Sequence, residues 1–151
     1  MDCDGVLTDG TVYYSEKGEE LLWFHRRDGN GIELLHQNSI KTAIISSENS
    51  AIIRKRGEKL KIKHIFTGVK DKLQKLQEII KQLNIKLEHV AYIGDDVADL
   101  EVMKSVGFPV VIADAVKDVN EISFYTCAKK GGDFAVREII DIILQARKEN
   151  N

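Results

Sequence analysis

The sequence is poor in residues that break or crosslink a chain. Pro109 is its only proline, and Cys3 and Cys127 are its only cysteines. One proline excludes a proline-rich linker. Two cysteines exclude a disulfide framework and fit a reducing compartment, so we expect free thiols and a cytoplasmic location. No apolar run approaches the roughly 18 residues that a membrane-spanning helix needs.

The sequence also lacks a large excess of charge of either sign. The chain has 22 basic and 24 acidic residues, which gives a formal net charge of -2. Nucleic-acid and membrane surfaces attract strongly basic proteins, so we expect neither as a partner. With 151 residues, 43% of them hydrophobic, the chain is long enough for a core, and we expect one domain over residues 1–151.

Short apolar runs alternate with helical patterns along the chain. Thr42–Ile45 and Val90–Ile93 read as buried strands, and Asp71–Leu83 has the spacing of an amphipathic helix. Aromatic and β-branched residues predict a β-hairpin over about residues 11–25. Further strands are predicted at 65–67, 109–113 and 124–126, and further helices at 32–35, 50–60, 97–106 and 134–147. Such alternation predicts an α/β fold with a mostly parallel sheet.

Acidic residues cluster where the ligand crevice of such a sheet lies, at the carboxyl ends of its strands. Asp2 and Asp4 open the chain, and Asp95 and Asp96 follow the Val90 strand. Taken separately, Asp2 and Asp4 read better as an acidic turn, and the Asp95 cluster reads equally well as a helix N-terminus. Together they need a cation, because two carboxylates 4 Å apart repel by about 4 kcal/mol at an effective dielectric constant of 20. Oxygen ligands favour Mg²⁺, and none of the four histidines has the spacing of metal ligands.

A hydroxyl and a lysine complete the pattern. Ser46 ends the Thr42 strand before a predicted helix, where a hydroxyl and free amides form a phosphate-sized site; a plain helix cap is the alternative. Lys72 begins a helix, where its charge opposes the helix dipole, and a solvated lysine is the alternative. Acid pair, hydroxyl, lysine and acid cluster are the parts that phosphoryl transfer uses.

The segments DCDGVLTDG and GDDVAD, with Ser46 and Lys72 between them, resemble the four ordered motifs of the haloacid dehalogenase (HAD) superfamily. FHRRDGNGIELL, GVKDKL and VAYIGDDVADLEVMKSVG are similar to its capless group of 3-deoxy-D-manno-octulosonate (KDO) 8-phosphate phosphatases. That group includes phosphatases of nine-carbon sugar-acid 9-phosphates. The resemblance implies a three-layer Rossmann-like fold with a β-hairpin insertion. The stretch between Asp4 and Ser46 is too short for a cap domain.

The resemblance implies a Mg²⁺-dependent phosphatase with an aspartyl-phosphate intermediate. Asp2 would be the nucleophile, and Asp4 would protonate the leaving group and then activate water. Mg²⁺ would be held by Asp2, the backbone carbonyl of Asp4, and Asp95.

The resemblance also implies roles for other residues. Ser46 and Lys72 would hold phosphoryl oxygens, while Asp96 and Asp99 would orient the metal ligands and Lys72. The sugar acid would be contacted by His25, Arg26, Arg27, Asp28, Gly29, Glu33, Glu48 and Arg56.

Two departures from the octulosonate pattern concern the substrate. Glu48 stands where that type has arginine, which favours hydroxyl contacts over a carboxylate contact and resembles the nine-carbon branch. We therefore expect a nine-carbon 2-keto-3-deoxynononate (KDN) or sialate 9-phosphate, with KDO 8-phosphate as the alternative. Gly131-Gly132-Asp133-Phe134 replaces a common Gly-Gly-Arg-Gly, which removes an arginine expected to reach a neighbouring subunit.

The resemblance also implies a homotetramer joined through the hairpin, whose neighbouring subunit helps to cover the site. A non-catalytic HAD-like oligomerisation domain is an alternative. A receiver domain is another, but it places its phosphorylated aspartate on a middle strand and its lysine late, whereas Lys72 precedes the Asp95 cluster. Because the family has an apolar strand before the first aspartate and only Met1 precedes Asp2, we expect a start further upstream.

Overall fold

The computed structural model describes residues 1–149, over which strands and helices alternate. The strands are β1 (Thr8–Tyr14), β2 (Glu20–Phe24), β3 (Ala43–Ile45), β4 (His64–Phe66), β5 (Ala91–Gly94), β6 (Phe108–Val111) and β7 (Tyr125–Thr126). The helices are α1 (Arg26–Gln37), α2 (Ala51–Lys59), α3 (Lys72–Leu83), α4 (Leu100–Ser105), α5 (Lys117–Asn120) and α6 (Ala135–Glu149). Short 3₁₀ turns lie at Leu87–His89 and Val97–Asp99.

The inner strands are parallel, and the first two residues connect them. β3 pairs with β4, and β6 lies between β5 and β7. The Met1 amino group donates to the Ala43 carbonyl (3.1 Å), and the Ile45 N–H donates to the Met1 carbonyl (3.0 Å). On the other side, the Asp2 N–H donates to the Ile93 carbonyl (2.9 Å). Met1 and Asp2 therefore lie between β3 and β5, with Asp2 at their carboxyl ends.

The sheet separates two apolar cores. Because successive strand residues point to opposite faces, Ile44 joins the core that contains residues of α1, α2 and α6, whereas Ile45 joins the core that contains residues of α3, α4 and α5. Val110 and Val111 of β6 divide in the same way. The expected three-layer α/β fold is confirmed.

The hairpin insertion is also confirmed, since β1 and β2 pair antiparallel with Tyr13 opposite Leu21. Leu22 and Phe24 pack against the α1 core, so the hairpin is attached by one of its faces. Residues 1–149 contain no cap domain. No helix in this part of the chain has the length and apolarity to cross a membrane.

Two helices differ from expectation. Helix α1 is longer than predicted, because the low helix propensity of Gly29 and Gly31 is outweighed by packing. A Cβ atom on Gly31 would lie 2.9 Å from the Arg137 side chain, so glycine lets α1 approach α6 closely. Helix α5 was not predicted, because four residues are too few to show a helical period.

Candidate active site

A buried lysine joins two aspartates at the centre of the site. Lys72 is the first residue of α3, whose N-terminus is capped by the Asp71 side chain accepting from the Gln74 N–H (2.8 Å). The Lys72 ammonium lies 2.6 Å from Asp2 Oδ2 and 2.7 Å from Asp99 Oδ1. The three residues are 4%, 7% and 0% exposed. We call Lys72, Asp2 and Asp99 the ion triad.

Neighbouring groups fix both carboxylates of the ion triad. The Cys3 N–H donates to Asp2 Oδ1 (2.7 Å). The Tyr92 hydroxyl donates to Asp99 Oδ1 (2.8 Å), and the Asp95 N–H donates to Asp99 Oδ2 (3.1 Å). Tyr92 was not predicted as a residue of the site. The signal available was a tyrosine in a buried strand, whose hydroxyl needs a partner.

Negative charge exceeds positive charge here. Asp2, Asp95 and Asp99 bring carboxylate oxygens within 4.8 Å of one another, and Lys72 is the only cation that bonds them in residues 1–149. Burial, then the charges of Asp2 and Asp99, raise the pKa of Asp95 to about 7, and burial with Asp99 raises the pKa of Asp2 to about 6. Burial lowers the pKa of Lys72, but the two aspartates of the triad outweigh it and raise that pKa.

The carboxylates fit a divalent cation. Asp95 Oδ1 is buried, and no hydrogen-bond partner for it lies in the described part of the chain. A cation would supply that partner and balance the excess charge. Asp2 and Asp95 were expected ligands. Asp99 was expected only to orient Lys72, which it contacts, but its position within the same group makes it a further candidate ligand.

Asp4 lies beside a serine that was expected to bind phosphate. The Ser46 hydroxyl, just after β3, donates to Asp4 Oδ2 (3.3 Å) and accepts from the Glu48 N–H (3.1 Å). Burial raises the pKa of Asp4, and the negative charge of Glu48 adds to this. A carboxyl group with a raised pKa keeps its proton more readily, as a general acid must.

The chain turns sharply after Asp4 because Gly5 has a φ of +78°. A Cβ atom there would overlap the Asp95 carboxylate, so only glycine fits. The Thr8 hydroxyl oxygen stabilises the turn by accepting from the Gly5 N–H (3.1 Å) and the Gly10 N–H (3.2 Å). The chain thus leaves the sheet directly after Asp4, whose side chain lies beside Ser46.

Asp96 lies apart from the ion triad. It is exposed, and its Oδ1 accepts from the Val97 N–H (2.6 Å), which caps the 3₁₀ turn at Val97–Asp99. This geometry favours the capping interpretation, and a role in orienting metal ligands stays a prediction.

The predicted sugar contacts fall into three groups. Arg26, Gly29, Glu33 and Arg56 line a groove of about 780 Å³ between α1 and α2, which Lys59 also lines although it was not predicted. Glu48 is exposed near Asp4, as its effect on the Asp4 pKa shows.

The third group is placed by α1 itself. His25 is the N-cap of α1, and its Nδ1 accepts from the Arg27 N–H (3.1 Å). Asp28 is only 1% exposed, and its Oδ1 accepts from the Arg137 N–H (2.8 Å) at the start of α6. Asp28 therefore joins two helices through Oδ1, while its buried Oδ2 has no hydrogen-bond partner in residues 1–149, and the sugar contact stays a prediction.

The fold and the site define a hydrolase class. The chain belongs to the family of haloacid dehalogenase-like hydrolases, whose pattern it matches over residues 33–139. The 3-deoxy-D-manno-octulosonate 8-phosphate phosphatase KdsC of Yersinia pestis is 42% identical over 146 residues, which are 97% of this chain and 78% of that protein.

Solved structures agree closely with this one. The Yersinia pestis phosphatase has a TM-score of 0.95 at 41% identity, covering 97% of this chain and 80% of that one. The Moraxella catarrhalis phosphatase, in complex with magnesium ion, phosphate ion and KDO, has a TM-score of 0.94 at 40% identity, with coverages of 97% and 84%. The expected phosphoric monoester hydrolase is confirmed, as is magnesium as the metal of the family. The receiver-domain alternative was wrong.

We predict that Lys72→Met destabilises the protein by about 3–5 kcal/mol, because it leaves two buried carboxylates without their shared cation. Unfolding in urea measures this. Adding Asp99→Asn to Lys72→Met should recover part of the loss, since one buried charge is then removed.

The matched control is Lys104→Met, which removes an exposed ion pair with Glu101 and should change stability by about 1 kcal/mol or less. Equal stability changes in the Lys72 and Lys104 variants would contradict the importance of the ion triad.

Proposed function

We propose that this protein is a Mg²⁺-dependent phosphatase that hydrolyses the phosphate ester of a 3-deoxy-2-ulosonic acid. The observation that carries the proposal is the arrangement of Asp2, fixed in the ion triad, beside Asp4, which bonds Ser46. A nucleophilic carboxylate and a separate proton donor thus lie two residues apart with different partners. An aspartyl-phosphate route needs this division of roles.

The chemistry assigned to the chain has two steps. In the first, an oxygen of Asp2 bonds to phosphorus while Asp4 gives its proton to the leaving sugar oxygen. In the second, Asp4 takes a proton from water, whose oxygen attacks phosphorus and releases phosphate and free Asp2. Lys72 and Ser46 stabilise the equatorial oxygens.

Asp2, Asp95 and the Asp4 carbonyl would hold the metal. When bound, Mg²⁺ neutralises charge on the phosphoryl oxygens and on the carboxylates.

Two observations bear on which sugar acid is the substrate, and they favour different ones. The relatives named as KDO 8-phosphate phosphatases favour the eight-carbon substrate. Glu48 favours the nine-carbon KDN or sialate 9-phosphates, because a carboxylate beside Asp4 accepts bonds from hydroxyls and repels the acid group of the sugar. The relatives do not support that preference, so KDO 8-phosphate is our first candidate and the nine-carbon substrate our second.

A phosphate-release panel tests these proposals. With Mg²⁺, we expect KDO 8-phosphate to exceed a hexose 6-phosphate in kcat/KM by about a hundredfold, the discrimination that a second bound anionic group provides. EDTA should abolish turnover, and so should Asp2→Asn, which removes the nucleophile. Higher kcat/KM for KDN or N-acetylneuraminate 9-phosphate would select the second candidate. Full activity of Asp2→Asn would contradict the mechanism.

We further propose a homotetramer joined through the hairpin. Tyr13, Leu21 and Trp23 lie on the hairpin face opposite the Leu22 side, and they are 50%, 63% and 61% exposed. Three large apolar side chains on one surface favour a protein partner. A second hairpin offers the same apolar chemistry, and a neighbouring subunit would exclude water from a site that has no cap.

We predict that Leu21→Glu with Trp23→Glu converts the assembly to monomers, because buried charges would oppose hairpin contact. Sedimentation equilibrium measures the mass. Phe124→Glu, which changes an aromatic residue 78% exposed outside the hairpin, is the control and should leave the assembly intact. A monomeric wild-type protein, or an unchanged mass in the double variant, would contradict the proposal.

We also propose that residues 1–151 form a single domain and that the protein is cytoplasmic. Both apolar cores are built on the same set of parallel strands, which supports one domain. Cys3 and Cys127 are free and buried, which fits a reducing compartment.

A further inference from the structure

Phe134 has a backbone conformation that is rare for a bulky residue. Its φ is +56°, in the left-handed region that glycine adopts readily. The preceding Gly131 and Gly132 pack against the turn that follows Asp4: a Cβ atom on Gly131 would overlap the Gly5 carbonyl oxygen. Phe134 therefore closely follows a segment that packs against the turn after Asp4. Such a conformation persists only where the surroundings enforce it.

Cations surround the Phe134 ring. The Arg27 guanidinium carbon and the Lys129 ammonium nitrogen each lie 4.8 Å from its centroid. The His25 ring lies 5.1 Å away, tilted by 50°. The negative face of an aromatic ring attracts cations. We call Phe134, Arg27 and Lys129 the cation rim.

Neither charged group of the cation rim has an ion-pair partner among residues 1–149. No carboxylate oxygen lies within 4.0 Å of the Arg27 guanidinium or the Lys129 ammonium. The backbone N–H of Lys129, by contrast, donates to Glu138 Oε2 (3.1 Å). Two cations on one ring repel each other, so their arrangement favours an anion between or beside them. Lys129 is half-buried and Arg27 is exposed, which leaves the rim open to a ligand.

His25, whose ring contacts Phe134, also bonds a residue of the groove between α1 and α2. The His25 carbonyl accepts from Arg56 Nη2 (3.3 Å), and Arg56 lines that groove. His25 therefore connects the groove to the Phe134 ring, and Gly131 connects the segment before Phe134 to the turn after Asp4.

We propose that Phe134 positions Arg27 and Lys129 to bind the carboxylate of the substrate. This inference rests on the proposed function, since a phosphorylated sugar acid has two anionic groups. Ser46, Lys72 and the metal would bind the phosphate, and the cation rim offers the carboxylate two cations that no acidic side chain in the described part of the chain pairs with. Phe134 acts as a positioning residue, while Arg27 and Lys129 contact the substrate.

The test compares two substrates in five variants. Arg27→Ala and Lys129→Ala each should raise KM for KDO 8-phosphate about tenfold, the loss of one charge-assisted contact. Phe134→Leu should raise it about fivefold, because it keeps an apolar side chain at the same φ but loses the ring face. Phe134→Tyr keeps the ring and should restore the wild-type KM. Lys130→Ala, an exposed neighbour of equal charge, is the control without effect.

The pattern across substrates decides the outcome. In all five variants kcat should stay within about twofold, and KM for p-nitrophenyl phosphate, which has no carboxylate, should not change. Equal KM changes for both substrates, or no change in Phe134→Leu, would overturn the proposal.

A binding measurement separates this inference from the proposed function. Titration calorimetry with free KDO needs no turnover. We expect wild-type protein to bind it and Phe134→Leu to bind it about fivefold more weakly. Hydrolysis of p-nitrophenyl phosphate without any action on sugar-acid phosphates would refute the proposed substrate alone, whereas wild-type protein that fails to bind free KDO would overturn the cation rim.

Discussion

The ion pair between Lys72 and Asp2 is the interaction on which the site depends. An ammonium group buried with two carboxylates is stable only if each charge keeps its partners. Lys72 meets this condition through Asp2 and Asp99, and Asp99 through Tyr92 and the Asp95 N–H. The same bonds hold the Asp2 carboxylate in one orientation, so the interaction that permits its burial also orients the group that we propose as the nucleophile.

The sheet explains how these charges meet. Asp2 is fixed by backbone bonds between β3 and β5, and Asp95 follows β5 directly. Lys72 is the first residue of α3, where the helix dipole would disfavour a lysine that had no buried anions as partners. One lysine cannot balance three carboxylates, and burial together with the charges of Asp2 and Asp99 raises the pKa of Asp95. A divalent cation is the ligand that corrects it.

Much of the fold and the site could be predicted from the sequence. The alternation of strands and helices located Ser46 and Asp95 at strand ends, because parallel strands share one ligand-binding edge. Tyr92 and Lys59 escaped prediction, since their roles depend on which residues the fold brings opposite them. The bond from α6 to Asp28 could not be predicted either, because a motif does not reveal which side of a helix is buried; the sugar contact of Asp28 stays a prediction.

The central claim is that Asp2 accepts the phosphoryl group, and acid-quenched peptide mapping tests it most directly. Protein mixed with Mg²⁺ and excess substrate is quenched during turnover, digested and analysed by mass spectrometry. We predict one phosphoryl group on the N-terminal peptide, located at Asp2 and absent when Mg²⁺ is omitted. A phosphoryl group on another residue, or continued turnover with Asp2 never phosphorylated, would contradict this account.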